Sequence, residues 1–177
     1  MKQKWILQWI CVLVVSLMGI AGCKNITMEE QRSTATVFEQ TSMLQAKEAA
    51  ETGALVFCNI DFEKGKEAYK TMICEVTTTL GCNYLSSEID NNWDALVTTY
   101  DTDALECEFV SSELIEESTQ FGFPVQIWFV RLVGTVGWQD QTNRDYWLQV
   151  ANESGEWKLN RVLSLTEIQY YKERYQD

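Results

Sequence analysis

The chain opens with an apolar stretch, Trp5 to Ile20, interrupted by Gln8, and is patterned quite differently beyond residue 31. From Ser33, apolar Val37, Leu44, Ala46, Ala50, Leu55 and Phe57 are interleaved with Glu39, Gln40, Lys47, Glu48 and Glu51. These are mostly good helix formers, and the spacing predicts one long helix ending near Asn59, weakened but not broken at Gly53. Asp61 is placed to cap a second helix with Lys64 to Leu80 as its body. Ala68, Met72, Ile73 and Val76 fall on one side of it, and Gly81 is its expected stop. Ser87 followed by Asp90 has the form of a capping box, and Ile89, Trp93, Leu96, Val97 and Tyr100 then recur at helical spacing. The competing reading makes Asp94 to Tyr100 a strand paired with 104–115; the helix is preferred.

From Ala104 the period changes to two. Leu105, Cys107 and Phe109 alternate with Glu106 and Glu108 in a first strand ending near Glu116. Phe123 to Trp138 is a β-rich run in which Gly134 and Gly137 are expected to mark a bulge or bend. After a turn over Gln139 to Asn143, a third strand covers Arg144 to Ala151. A hairpin turn at Asn152-Glu153-Ser154-Gly155 leads into a fourth, Glu156 to Leu163. Ser164 with Glu167 is another capping signal, ahead of Tyr170, Tyr171 and Tyr175.

Helices followed by a curved, antiparallel, four-stranded sheet make an α+β domain. Over about residues 32–165 this order resembles the nuclear transport factor 2-like fold, in which a bent sheet wraps round helices to form a cone. The resemblance rests on pattern, and that fold hosts many unrelated activities, so it implies no particular one. Small membrane-anchored proteins of conjugation and secretion machines, and many small bacterial lipoproteins, have a similar layout.

The first residues change the picture further. Lys2 and Lys4, the apolar run and the sequence Ile20-Ala21-Gly22-Cys23 resemble the signal peptide and lipobox of a bacterial lipoprotein. Small residues at 21 and 22 suit a narrow peptidase site, and Cys23 is the nucleophile that lipidation requires. The resemblance implies cleavage before Cys23, a diacylglycerol on its sulfur, and an extracytoplasmic location on the cell membrane. It divides the chain into a signal peptide (1–22), a tether (23–31) and one domain (32–177). The alternative, an uncleaved anchor, would rest on an apolar run of about 16 residues, just short of a bilayer span. Cys11 would be discarded with the run, and the sequons Asn25-Ile26-Thr27 and Asn152-Glu153-Ser154 are coincidental in such a cell.

Taking 22 residues from 177 leaves 155, enough for one domain with a real core. With Lys2 and Lys4 gone, 12 basic residues stand against 26 acidic ones, a net charge of −14. Such a surface is repelled by anionic lipid and by nucleic acid, which is not expected as a partner. The chain has no histidine, which removes Ser-His-Asp and Cys-His machinery and the commonest zinc ligand, and its glycines are scattered singly. No cofactor, metal site or catalytic residue is therefore assigned.

Cys58, Cys74, Cys82 and Cys107 remain in the domain, none in a C-x-x-C pair. An even number in an exported chain favours two disulfides among three possible connectivities, with buried free thiols as the alternative. Were Cys74 and Cys82 on one continuous helix, about 12 Å would separate them, too far to bridge. Arg131 lies in an apolar strand whose two faces both look buried. It should turn inward and pair with Glu106, Glu108 or Asp145, near aromatic residues such as Trp128 and Trp147 that could line a ligand pocket. A carboxylate–tyrosine site, with Asp145 beside Tyr146 or Tyr100, would allow enzyme chemistry without histidine. The expectation is a noncatalytic, membrane-anchored lipoprotein that binds a protein partner or small ligand. Its alternatives are a structural component of an envelope or conjugation assembly, and an enzyme of that carboxylate–tyrosine kind.

Overall fold

The computed structural model describes residues 28–100, 105–136 and 141–175, with side chains from residue 39 onward except those of Tyr100 and Val136. The chain divides after Glu39 into two units. In the first, the described stretch is helical from Met28. The second, Gln40–Asp177, is an α+β domain of helices followed by an open, four-stranded antiparallel sheet. The element order is α1 (Met28–Cys58), α2 (Gly65–Val76), α3 (Thr79–Tyr100), β1 (Leu105–Gln120), β2 (Phe123–Val136), β3 (Thr142–Glu153), β4 (Glu156–Val162) and α4 (Leu165–Tyr175). The sheet order is β1-β2-β3-β4, the arrangement that successive hairpins produce.

α1 begins inside the stretch read as tether, because Met28-Glu29-Glu30-Gln31 are all good helix formers. Its buried stripe is small: Ala46, Ala50, Ala54 and Cys58, each fully buried, recur every fourth residue. Leu44, expected inside, is 66 % exposed. Small side chains let the helix lie close against the sheet, and a Cβ on Gly53 would come within 3.0 Å of the Leu159 Cβ. The face of the sheet that α1 covers carries Trp128, Val130, Leu132, Leu148, Val150 and Leu159. Leu132, Leu148 and Leu159 are fully buried, so truncating any of them to alanine should cost about 2–5 kcal/mol.

The helical half departs from expectation in one instructive place. The second helix does not run on to Leu80; it ends at Val76, and Thr77 is extended (φ −108°, ψ 159°). Thr77 forms a parallel bridge with Leu159, and the Thr78 N–H donates to the Leu159 carbonyl at 2.8 Å. Thr78 then starts α3, its hydroxyl oxygen accepting the Gly81 N–H at 3.0 Å. Gly81 is thus in the first turn of a helix and stops none. A Cβ there would sit 2.6 Å from the Asn160 carbonyl oxygen and 2.9 Å from that of Leu159, so only glycine admits this approach of α3 to β4. Ser87 and Asp90 fall in mid-helix and cap nothing, while residues 88–100 are helical as preferred. Asp61 accepts the N–H groups of Glu63 and Lys64, closing the turn before α2 rather than capping the helix itself.

The break at Thr77-Thr78 also decides the cysteines. It folds Cys82 back on Cys74, bringing their Cα atoms to 4.6 Å and allowing a disulfide. The second disulfide, Cys58–Cys107, joins the end of α1 to the start of β1 across 49 residues. Beside it the Asn59 side-chain oxygen accepts the Cys107 N–H at 2.7 Å, and Ile60 and Leu105 exchange backbone hydrogen bonds at 3.0 Å.

The strands run further than their polar ends suggested. β1 continues past Glu116 to Gln120 and pairs with β2 down to Gln120↔Phe123. Two irregularities lie in β1, between Phe109 and Ser111 and between Leu114 and Glu116, and a third lies in the β3–β4 pairing, where Asn160 has no register partner between Gln149↔Arg161 and Val150↔Leu159. Gly134 pairs regularly with Cys107 and Thr142 and marks no bulge; its missing Cβ leaves room for the Arg144 side chain and the Cys107 sulfur. Gly137 and Trp138 lie outside the described residues. Both remaining hairpin connections are two-residue turns with positive φ at each centre, Phe121-Gly122 (52°, 86°) and Ser154-Gly155 (57°, 94°). That is the twist-matched type I′ geometry.

Candidate functional site

The residues singled out in the sequence do not converge on one pocket. Arg131 and Asp145 are directly opposite each other on β2 and β3 and form a bidentate ion pair, at 2.8 and 2.9 Å. The pairing expected for Arg131 is present, but its inward placement is wrong: both side chains are 41 % exposed. Arg131 points to the face of the sheet away from α1, over the Phe129 ring, and α4 covers only part of that face. The Arg131 guanidinium holds the Asp145 carboxyl below the usual carboxylate range, which makes Asp145 a poor base. Tyr146 follows it on the strand and therefore points to the opposite face, against Phe57, so this carboxylate–tyrosine pair is not assembled. Tyr100 is a residue whose side chain lies outside the described set.

Trp128 and Trp147 are also on opposite faces. Trp128 is buried in the main core, with its indole N–H on the Gln126 side-chain oxygen at 2.9 Å. Trp147 belongs to a smaller cluster with Ile127 and Leu163, packed by Phe129, Ile168 and Tyr171. α4 is held over this cluster by its capping box. Glu167 accepts from the Ser164 N–H and hydroxyl at 3.0 and 2.7 Å, and its own N–H reaches the Ser164 oxygen at 3.4 Å. Glu167 also takes both arms of Arg161, which pulls its carboxyl down to about 2.

Among the concave regions lined by described residues, two carry the larger apolar side chains. One, of about 360 Å³, lies between α3 and the sheet and is lined mainly by Phe57, Ile60, Tyr69, Leu85, Ile89 and Tyr146. Its deepest polar group is the Tyr69 hydroxyl, which donates to the Phe57 carbonyl at 2.6 Å and is held well above its ordinary pKa, chiefly by burial. A phenol so engaged offers neither a proton nor a base near neutral pH.

The other, of about 350 Å³, lies at the far end of the sheet where the β1–β2 turn approaches the first turn of α3. Its rim is Leu80, Phe121 and Phe123, which are 69 %, 100 % and 55 % exposed. Phe121 is the most exposed large apolar residue among the described residues. The floor is a polar network that satisfies itself. Gln149, 1 % exposed, accepts from Asn160 at 2.8 Å and Arg161 at 3.1 Å and donates to Gln120 at 3.2 Å. The Thr78 hydroxyl donates to Asn160 at 2.8 Å. With these groups paired among themselves, the groove presents mostly apolar surface. An exposed apolar rim of this kind suits contact with another surface.

The sequence pointed to none of this groove beyond the bare presence of Phe121 and Phe123. A Phe-Gly pair is not among the favoured turn dipeptides, and the sequence assigns no element between Glu116 and Phe123. Among the described residues, no group of three or more Cys, Asp or Glu is placed to hold a metal ion, and no helix is long and apolar enough to cross a membrane.

The fold is similar to that of a periplasmic fragment of TraM, with a TM-score of 0.53 at 8 % identity, covering 68 % of this chain and 95 % of that one. Two weaker likenesses are the periplasmic domain of DotI (0.48, 12 % identity, 66 % and 89 % covered) and an IcmL-like type IV secretion system protein from Legionella pneumophila (0.47, 11 %, 67 % and 89 %). At such identities the first likeness speaks to fold, and the other two carry no argument. No protein-family model and no curated protein sequence matches the chain.

Proposed function

We propose that this chain is a lipid-anchored, noncatalytic, extracytoplasmic component of an envelope assembly, and that it works by holding a protein partner. The observation that carries this is a domain closed by two disulfides, preceded in sequence by a basic start, an apolar run and Ile20-Ala21-Gly22-Cys23, which resemble a lipoprotein signal peptide and lipobox. Disulfides of this kind persist in oxidising compartments. The fold shared with a periplasmic fragment of TraM supports the same side of the membrane. Cys23 would carry the diacylglycerol, whose two chains give lasting attachment at about 0.8 kcal/mol per buried methylene.

The test uses the full chain in its native membrane. A fatty-acid probe should label the wild type and leave Cys23→Ala unlabelled. After mild detergent, the labelled protein should migrate on a native gel in a particle several times larger than the single chain. An unlabelled chain still beginning at Met1 removes the anchor. A labelled chain that runs alone at every detergent concentration removes the assembly.

A further inference from the structure

We propose that the end of the β1–β2 hairpin is the docking surface of this domain, and that it inserts Phe121 into an apolar pocket with a basic rim on a different protein. This deepens the envelope-component reading and rests on it.

The first observation is a contrast between two turns of one geometry. Ser154-Gly155 places a small polar residue at the first positive-φ position, and the Asn152 side chain accepts the Gly155 N–H at 3.0 Å. That is ordinary turn chemistry. The β1–β2 turn puts phenylalanine in the same left-handed slot, at φ 52°, with its side chain wholly in solvent. A bulky residue is disfavoured there on conformational grounds and gains nothing from burial. Residues kept in such conformations are found where a site needs them. Phe123 and Leu80 extend the apolar surface beside it, and the Gln149–Asn160–Arg161 network stiffens the floor between them. An exposed aromatic beside an apolar groove with a braced floor is what a hot-spot anchor looks like before its partner arrives.

Charge then selects the occupant. From Glu113 to Val130 the hairpin carries Glu113, Glu116 and Glu117 and no lysine or arginine. Of these, Glu116 is already matched by Arg174 at 3.6 Å, which leaves Glu117 as the carboxylate nearest the turn; Glu153 stands at the groove, and the one cation lining it, Arg161, is committed to Glu167. An acidic end repels anionic headgroups, so a membrane is a poor occupant. A second copy would bring the same carboxylates against these. A basic rim round an apolar pocket on another protein answers both the phenylalanine and the charge.

Phe121→Asn separates docking from folding, because asparagine accepts the left-handed conformation that phenylalanine resists. In the full lipidated chain its melting temperature should rise by about 2–4 °C. Its share in the large native-gel particle should fall at least tenfold. Leu44→Gln, which removes another exposed apolar residue, should leave that share unchanged. Wild-type association should weaken as salt is raised. A benzophenone amino acid at position 121 should crosslink in the membrane to a protein other than this chain. Wild-type incorporation by Phe121→Asn overturns the docking surface while leaving the envelope reading intact. A lowered melting temperature shows Phe121 to be structural, and crosslinks to lipid alone or to a second copy reject the partner. Absence of any wild-type particle is the separate failure of the underlying reading.

Discussion

Replacing Gly81 with alanine sets two well-known effects against each other, and the structure says which wins. In an exposed helix interior, glycine to alanine is favourable by about 0.8–1.0 kcal/mol. Position 81 is helical, so propensity alone predicts a more stable protein. The added methyl, however, would lie 2.6 Å from the Asn160 carbonyl oxygen, 2.9 Å from that of Leu159 and 3.1 Å from the Asn160 carbonyl carbon. All three are backbone atoms of β4 and cannot rotate away. α3 would have to withdraw by several tenths of an ångström, loosening the Thr78 N–H bond to Leu159 and the Thr78–Asn160 contact. Overpacking of this kind costs roughly 1–3 kcal/mol, and a weakened buried hydrogen bond adds about 1. The net expectation for Gly81→Ala is a loss of about 2 kcal/mol, visible as a lower urea midpoint with unchanged slope. A variant as stable as the wild type would show that α3 does not lie on β4 in this way.

Arg131→Met should leave the melting temperature nearly unchanged, since its ion pair is nearly half exposed; a markedly lowered melting temperature would mean the residue is buried after all. Glu167 has its folded pKa lowered to about 2 from 4.5, so its contribution is complete above pH 4.5 and lost as pH falls toward 2. Discounted for solvent screening, that is about 1–2 kcal/mol, and Glu167→Gln should flatten stability over that window; an unchanged acid limb refutes the pairing with Arg161. By loop closure, removing Cys58–Cys107 by double serine substitution should cost about 4 kcal/mol and removing Cys74–Cys82 roughly 2–3. Alkylation of native protein without reductant should leave all four of these cysteines unmodified by mass; four modified thiols would contradict both bridges.

The strands were legible because alternation is local: Leu105 and Cys107, then Trp128, Val130 and Leu132, announce their buried face without reference to anything distant. The helical half was harder for a tertiary reason. Thr77-Thr78-Thr79 followed by Gly81 reads as a fraying end, whereas β4 recruits Thr77 and Thr78 into extended pairing and demands a glycine opposite Asn160. Cysteine parity suggested two bridges but not their partners, because the Cys74–Cys82 distance depends on that same break. Arg131 was misplaced since two apolar faces imply two buried faces, and α4 has only 11 residues with which to cover the second. Phe121 was legible only as one more aromatic of the strand half, not as the centre of a turn. It breaks the turn rule that would have exposed it.

The Cys58–Cys107 bond has a mechanical consequence. Suppose the chain is pulled between a lipid at Cys23 and a partner gripping Phe121. Tension runs along α1 to Cys58, crosses the sulfur–sulfur bond to Cys107, and continues down β1 to the hairpin end. Residues 59–106, including α2 and α3, lie inside the covalent loop and are shunted out of the load path. Their packing then does not have to resist that pull. Reduction would put that whole segment in series with the load, and single-molecule pulling from residue 40 to residue 121 should then yield at lower force, with an added extension set by those 48 residues. Equal rupture traces in oxidised and reduced protein would show that the bond bears no load.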